Sequence, residues 1–93
     1  MTDGGTLSRN LTIPNKLGLH ARSAAQIALI ARTARSKIWI IRNGERADAK
    51  SIIDVLSLAC GRHAVITVEA ADRADREVFQ QIVTLVESGF GEE

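Results

Sequence analysis

The fold is decided around the stretch LGLHARSAAQIALIARTA, residues 17–34. A glycine-containing turn ends there at His20, and the spacing typical of an amphipathic helix begins at Ala21. Residues at the spacing i, i+3, i+4 and i+7 form its apolar stripe, namely Ala24, Ile27, Ala28 and Ala31. Arg35 and Lys37 lie near its expected end, where cations suit the helix dipole. The stretch therefore predicts a packed helix with a histidine at its N-terminus.

Segments with a period of two on either side of this helix predict strands. The apolar face of residues 6–13 consists of Leu7, Leu11 and Ile13. Residues 37–42, KIWIIR, form a β-branched run that alternates between two faces of a sheet. Asn43-Gly44 follows, and this pair is typical of a type I′ hairpin turn because both positions tolerate a positive φ. The short polar segment 45–49 then predicts an edge strand.

The second half of the chain predicts a helix, a strand and a final helix. Residues 50–60 return to helical spacing, with Gly61 as the expected stop. One face of this second helix is formed by Ile52, Val55, Leu56 and Ala59. Residues 63–70 alternate, and Asp72 can cap the helix predicted for residues 72–91. The resulting order is βαββαβα, in which helices cover one face of the sheet and the other face stays open.

Composition excludes several classes of function. The 93 residues suffice for one domain, and a hydrophobic content of 45% allows a core without metal or disulfide support. A net charge of +1 gives no general attraction to nucleic acid or anionic lipid. Two histidines and one cysteine do not supply a metal site. The lone Cys60 forms no internal disulfide, and we see neither a signal peptide nor the run of about 20 apolar residues that spans a membrane, so we expect a cytoplasmic protein.

His20 stands at the start of the helix between Gly18 and Arg22. The first amides of a helix lack internal partners and carry a partial positive charge, which makes an anion site. The partial positive charge at the helix N-terminus disfavours the imidazolium form of His20 and so keeps one ring nitrogen free as a nucleophile. The guanidinium of Arg22 suits phosphate oxygens, and Gly18 lets the backbone turn sharply. These features indicate a site for a phosphoryl group carried on histidine. The same residues would also fit a solvated helix cap beside an ordinary surface arginine.

Four stretches carry a resemblance to a known family. They are GLHARSA at 18–24, AKSIIDVLSLACG at 49–61, VITVEA at 65–70 and LVESGFGE at 85–92. In these stretches, and from about residue 7 to residue 92, the chain resembles HPr, the histidine-containing phosphocarrier of the phosphoenolpyruvate-dependent sugar phosphotransferase system. The resemblance implies an α+β open-faced β-sandwich, with a four-stranded antiparallel sheet and three helices on one face. We expect one HPr-like domain at residues 6–92, after a flexible tail at residues 1–5.

The resemblance also implies a role for the histidine. His20 would accept a phosphoryl group from phosphorylated enzyme I, and Arg22 would steady it. The acceptor would be the A component of a sugar permease, a nitrogen-type system or another regulator. Such a monomeric shuttle needs no cofactor and is not an independent turnover enzyme. Ser23 replaces the usual proline of the family, so we expect a slightly less fixed helix start, a hydroxyl near the phosphate and a tuned transfer rate.

Ser51 opens the second predicted helix and suits an N-cap. The resemblance adds a regulatory reading, because a serine here is phosphorylated by HPr kinase/phosphorylase in part of the family, and a phosphate is tolerated at a helix start. The alternative function is therefore a regulatory protein-binding module controlled at Ser51. Asp54, where the family often has glycine, lies on the same side, and its carboxylate would repel a phosphate on Ser51.

An apolar rim beside His20 is the expected docking surface for protein partners. It is predicted to consist of Ala24, Ile52, Ile53 and Leu56. The same residues are also compatible with the ordinary edge of a core, because single exposed apolar side chains are common.

Overall fold

The computed structural model describes residues 5–92. Most of the expected N-terminal tail, residues 1–4, lies outside the described residues. The main elements are β1 (Leu7–Thr12), α1 (Ala21–Ala31), β2 (Ile38–Arg42), β3 (Glu45–Asp48), α2 (Ile52–Leu56), β4 (Val65–Ala70) and α3 (Arg76–Glu87). Short 3-10 helices lie at Arg73–Asp75 and Gly89–Gly91. This order confirms the predicted βαββαβα arrangement and the α+β class.

The strands form one antiparallel sheet in the order β1-β4-β2-β3. Leu11 of β1 pairs with Ile66 of β4, so apolar residues of neighbouring strands share one face. Strand β3 lies at the edge, as its polar sequence predicted. The turn before it has positive φ at both central residues, 50° at Asn43 and 82° at Gly44, which confirms the predicted hairpin.

One face of the sheet and the helices enclose the core. The buried strand residues are Leu11, Ile38, Ile40, Ala47, Ile66, Val68 and Ala70. The buried face of α1 consists of Ser23, Ala24, Ile27, Ala28 and Ala31. The buried face of α3 consists of Phe79, Ile82, Val83 and Val86. On the open face the guanidinium of Arg46 lies 4.7 Å from the centre of the Trp39 ring, so a cation covers the largest apolar side chain there.

Helix α2 is shorter than predicted and ends before Gly61. The left-handed backbone of Ala59, with φ of 53°, turns the chain instead. This turn buries Leu58 and exposes Ala59. The prediction that Ala59 lies on the apolar face was therefore wrong, because helical spacing does not continue beyond the C-cap at Ser57.

The ends of the two longer helices also differ from the prediction. Helix α1 ends at Ala31, so Arg35 and Lys37 lie beyond its last turn rather than at the end of its dipole. Asp72 accepts the backbone N–H of Ala74 at 2.8 Å and therefore caps the 3-10 helix, not α3 itself.

A buried carboxylate ties the loop after α1 to the start of α3. Asp75 is 3% exposed, and its two oxygens accept the backbone N–H groups of Arg35 and Ser36, each at 2.9 Å. These charge-assisted hydrogen bonds replace the water that the carboxylate loses on burial. The contact holds the loop that leads from α1 into the sheet.

Candidate functional site

The loop before α1 is held against the segment that follows α2. Gly18 has φ of 67°, and a Cβ there would clash with the carbonyl oxygen of Cys60 and lie 2.7 Å from Cα of Gly61. Leu19 donates its backbone N–H to the carbonyl of Cys60 at 2.8 Å. Glycine is therefore required at residue 18 both by the left-handed backbone and by the close approach, and the contact fixes where His20 begins the helix.

His20 is the N-cap of α1, and its ring faces the first turn. Its Nδ1 accepts the backbone N–H of Arg22 at 3.2 Å. Ser23 completes a capping box, because its Oγ accepts the backbone N–H of His20 at 2.9 Å. Two hydrogen bonds thus hold His20 at the helix start, one at Nδ1 of its ring and one at its backbone N–H.

The structure corrects the prediction for Ser23. Its side chain is fully buried, and its hydroxyl lies 3.1 Å from the carbonyl oxygen of Gly18 and 3.2 Å from that of His20. The hydroxyl therefore faces the backbone of the loop instead of the space where a phosphate would be bound. Its hydrogen bonds tie the helix start to the preceding turn. The expected difference in the rigidity of the helix start between serine and the usual proline stays a prediction.

Two residues that sequence reasoning missed complete the surroundings of the ring. Oε2 of Glu92 lies 2.6 Å from Nε2 of His20. Nδ2 of Asn15 donates to Oε1 of Glu92 and to the carbonyl of Gly18, each at 2.9 Å. The only sequence signal for this contact was the glycine-rich ending GFGE, in which Gly89 has φ of 70° and so allows the chain to turn after α3.

The electrostatics of this group favour an ionised carboxylate beside the ring. The hydrogen bond from Asn15, then that from His20, holds the pKa of Glu92 below its usual range, and the charge of Arg22 acts in the same direction. The side chains of His20 and Glu92 are 29% and 16% exposed, so the pair is partly shielded from solvent. A carboxylate at Nε2 and an amide donor at Nδ1 are both satisfied by the tautomer with its proton on Nε2.

The site opens to solvent through a depression of about 680 Å³. Its lining residues are Lys16, Leu17, His20, Ala21, Arg22 and Glu92. The depression that the ring borders is therefore lined by two cationic residues, Lys16 and Arg22, and lies at the partially positive start of a helix. Such an arrangement can accept an anionic group from a large partner, because the depression is open and is not closed over by any segment of residues 5–92.

The second predicted region lies at the start of α2. Ser51 is the N-cap, and its Oγ accepts the backbone N–H of Asp54 at 3.2 Å. Of the apolar rim, Ile53 is 77% exposed, and Ile52 and Leu56 are half-buried. Ala24 is fully buried, so its assignment to the rim was wrong: it belongs to the stripe of α1 that faces the core.

Neither a metal centre nor a membrane span is evident in the part of the chain that the structure describes. Among residues 5–92, no three or more histidine, cysteine, aspartate or glutamate side chains are grouped so that they could hold a metal ion. No helix in the same range has the length and apolar character needed to cross a bilayer.

Comparisons with known proteins agree with this fold and identify the family. The family model described as "PTS HPr component phosphorylation site" matches residues 7–88. The phosphocarrier protein HPr of Cupriavidus necator is 40% identical over 86 residues, which cover 92% of this chain and 97% of the relative. The phosphocarrier protein NPr of Shewanella violacea is 35% identical over 86 residues, which cover 92% and 94% respectively.

A solved structure is similar over nearly the same length. The crystal structure of HPr-C-His from Thermoanaerobacter tengcongensis gives a TM-score of 0.85 at 36% sequence identity, and the match covers 94% of this chain and 98% of that chain. The resemblance inferred from the sequence is thereby confirmed: the chain belongs to the HPr family of phosphocarrier proteins of the phosphotransferase system.

Proposed function

We propose that the chain accepts a phosphoryl group on His20 from phosphorylated enzyme I and passes it to a second protein. The acceptor is the A component of a sugar permease or a regulatory, nitrogen-type counterpart. The observation that supports this most is the position of His20, which caps α1 and borders an open depression together with Arg22. Family membership supports phosphoryl carriage, and this geometry supports His20 as the residue that performs it.

The transfer step uses the ring nitrogen that carries no proton. The lone pair of His20 Nδ1 forms the new N–P bond, while the bond between the donor and phosphorus breaks and its electron pair stays with the donor. The proton on Nε2 does not need to move. The backbone N–H of Arg22, which Nδ1 accepts at 3.2 Å, is then released and can donate to a phosphoryl oxygen. The guanidinium of Arg22 adds positive charge where the phosphoryl oxygens gather negative charge.

The open site fits a carrier that must load and unload at the same atom. Donor and acceptor proteins reach His20 one after the other, and the reverse of the loading step releases the phosphoryl group. Relatives named HPr and NPr match with similar coverage, at 40% and 35% identity. The acceptor class is tested by comparing the rates of transfer from the phosphorylated chain to sugar-specific and to nitrogen-type A components. We further propose that residues 6–92 act as one domain, and that the carrier works as a cytoplasmic monomer.

A second, regulatory function is favoured by the exposed side chain of Ile53 next to Ser51. Ile53 is 77% exposed at the start of α2, which offers an apolar contact to a partner protein. Phosphorylation of Ser51 by an HPr kinase/phosphorylase would change the charge at that contact. Asp54 opposes this function, because it donates its backbone N–H to the Oγ of Ser51 and lies in the same turn, where its carboxylate would repel a phosphate on Ser51.

The test is phosphorylation by phosphoenolpyruvate and enzyme I, followed by mapping of the label. We expect one acid-labile phosphate on His20 and none in His20→Ala. His63→Ala is the matched control, because His63 is the other histidine and is exposed in the loop before β4. Equal labelling of His20→Ala and the parent would contradict the proposal. Labelling by ATP and a cognate kinase, compared between the parent and Ser51→Ala, tests the regulatory function separately.

A further inference from the structure

We propose that Glu92 is a positioning residue for the transfer, and that Asn15 holds it in place. The carboxylate keeps the proton of the His20 ring on Nε2 and leaves Nδ1 free for attack. The expected effect of Glu92 on the transfer rate rests on the carrier function proposed above. Its expected effect on the tautomer of the His20 ring does not, because the position of the ring proton can be measured in the free protein.

The carboxylate is held at both of its oxygens. Oε2 lies 2.6 Å from Nε2 of His20, which is the short distance of a charge-assisted hydrogen bond. Oε1 accepts from Nδ2 of Asn15 at 2.9 Å. Rotation of the carboxylate away from the ring would break both contacts at once, so Glu92 is fixed relative to the imidazole.

Asn15 is itself fixed by the loop that positions the histidine. It is 4% exposed, and its amide nitrogen also donates to the carbonyl of Gly18 at 2.9 Å. Both neighbours of this amide group are acceptors, which sets the orientation of the side chain with its nitrogen toward them. Asn15 therefore joins the backbone turn at Gly18 to the carboxylate of Glu92.

The turn after α3 brings the carboxylate to the ring. Phe90 is 4% exposed in the core, and the residues on either side of it, Gly89 and Gly91, have φ of 70° and 73°. The buried phenyl ring anchors this turn, and Glu92 follows it directly. The carboxylate is therefore presented by a packed segment of the fold.

The position of Glu92 matters because transfer creates positive charge on the ring. When Nδ1 bonds to phosphorus while Nε2 keeps its proton, the ring takes on the charge of an imidazolium. A carboxylate 2.6 Å from Nε2 offsets that charge without a proton transfer. This is the role that an orienting carboxylate plays for a catalytic histidine in hydrolytic triads, applied here to a phosphoryl acceptor.

Two substitutions separate this role from a merely structural one. In Glu92→Gln the amide oxygen can still accept from Asn15, but the amide nitrogen then faces Nε2 as a donor. It would compete for the lone pair on Nε2 and favour the tautomer with its proton on Nδ1. Glu92→Ala removes the contact without adding a donor. We therefore expect Glu92→Gln, the more conservative substitution, to reduce the Nε2–H tautomer and the transfer rate more than Glu92→Ala does.

The first readout is the ¹⁵N NMR spectrum of the His20 ring in the free, full-length protein at about pH 9, above the usual range of histidine pKa values. We expect the Nε2–H tautomer to dominate in the parent, to decrease in Glu92→Ala and to decrease further in Glu92→Gln. Glu87→Gln is the matched control, because it removes a carboxylate of α3 that pairs with Arg9. It should keep the ring spectrum of the parent.

The second readout is the rate of phosphoryl transfer from phosphorylated enzyme I. We expect kcat to fall by about 10-fold in Glu92→Ala and further in Glu92→Gln, with little change in KM, because the carboxylate acts on the ring. An unchanged tautomer in both variants, or a Glu92→Gln variant that transfers like the parent, would overturn the positioning role. A parent that takes no phosphate at all would instead overturn the proposed function, while the NMR result would still decide the role of Glu92.

Discussion

The hydroxyl oxygen of Ser23 lies 2.9 Å from the backbone nitrogen of His20 and accepts its N–H. The same hydroxyl adjoins the carbonyl oxygen of Gly18 at 3.1 Å. Ser23 is fully buried, so solvent does not compete for these contacts. The proline that is usual in the family offers no side-chain hydrogen bond. This chain therefore fixes its phosphoryl-acceptor candidate with a cap that proline cannot form.

Removal of this cap should destabilise the protein. Ser23→Ala should lower the free energy of unfolding by about 0.5–2 kcal/mol, the usual cost of losing a helix cap. Ser23→Pro loses the same bonds and also the backbone N–H that faces the His20 side chain, but it restricts the unfolded chain, which recovers about 0.4–1 kcal/mol. Urea unfolding of the three proteins should therefore rank the proline variant between the parent and the alanine variant. Ser57→Ala, at an exposed serine, is the control, and equal stability of Ser23→Ala and the parent would contradict the role of the cap.

The close approach of Gly18 to Cys60 predicts a large effect of a single methyl group. Gly18→Ala combines the strain of a left-handed backbone, about 1–2 kcal/mol, with overpacking that costs about 1–3 kcal/mol. Gly44→Ala is the matched control, because Gly44 has φ of 82° but no atom within 4 Å of an added Cβ. Both variants carry the strain of the left-handed backbone, so thermal unfolding should show Gly18→Ala to be less stable than Gly44→Ala by the cost of overpacking alone. Similar losses in both variants would mean that the loop moves aside.

Local spacing was sufficient to predict the elements that position His20. The alanine-rich stripe of α1 has a period of 3.6, and the strands alternate, so each had one possible buried face. The Asn43-Gly44 turn was predictable because its backbone requires residues that tolerate a positive φ, and the structure shows 50° and 82° there. These features depend on neighbours within a few residues, which the sequence displays directly.

The parts that failed depend on residues distant in the chain. Glu92 lies 72 positions from His20, and no local pattern indicates that they meet. A rim beside His20 predicts an exposed Ala24, whereas the helical position of Ala24 turns it into the core. Proximity in sequence predicts a Ser23 hydroxyl near the phosphate, whereas the hydroxyl contacts the backbone of Gly18 and His20. Packing decided all three.

The buried carboxylate of Asp75 should be important for stability although it is far from the chemistry in sequence. Asp75→Ala leaves the backbone N–H groups of Arg35 and Ser36 without their acceptor. Each unsatisfied donor costs about 1–3 kcal/mol, so guanidinium unfolding should show that the two together lower the free energy of unfolding by about 2–6 kcal/mol. Asp75→Asn keeps one acceptor oxygen, so it should lower the free energy of unfolding less than Asp75→Ala does. Asp72→Ala, at an exposed cap, should cost about 1 kcal/mol, and a loss as small as this in Asp75→Ala would refute the prediction.

The ionised state of Glu92 predicts how stability changes with pH. The hydrogen bond from Asn15, followed by that from His20, lowers the pKa of Glu92 in the folded protein below the ordinary value of 4.5. The unfolded chain therefore binds a proton first on acidification, so the stabilisation by Glu92 is fully present above the ordinary value. It is lost as the pH falls from there through the lower pKa of the folded state.

The measurement is the free energy of unfolding of the parent, Glu92→Gln and Glu87→Gln at a series of pH values, followed by the fluorescence of Trp39. The difference between the parent and Glu92→Gln should be largest above about pH 5 and should shrink on acidification, because a protonated glutamate resembles glutamine in charge. Glu87 is about half exposed, so Glu87→Gln should differ little from the parent throughout. A difference between the parent and Glu92→Gln that stayed constant into the acid range would show that the carboxylate stabilises the fold without its charge.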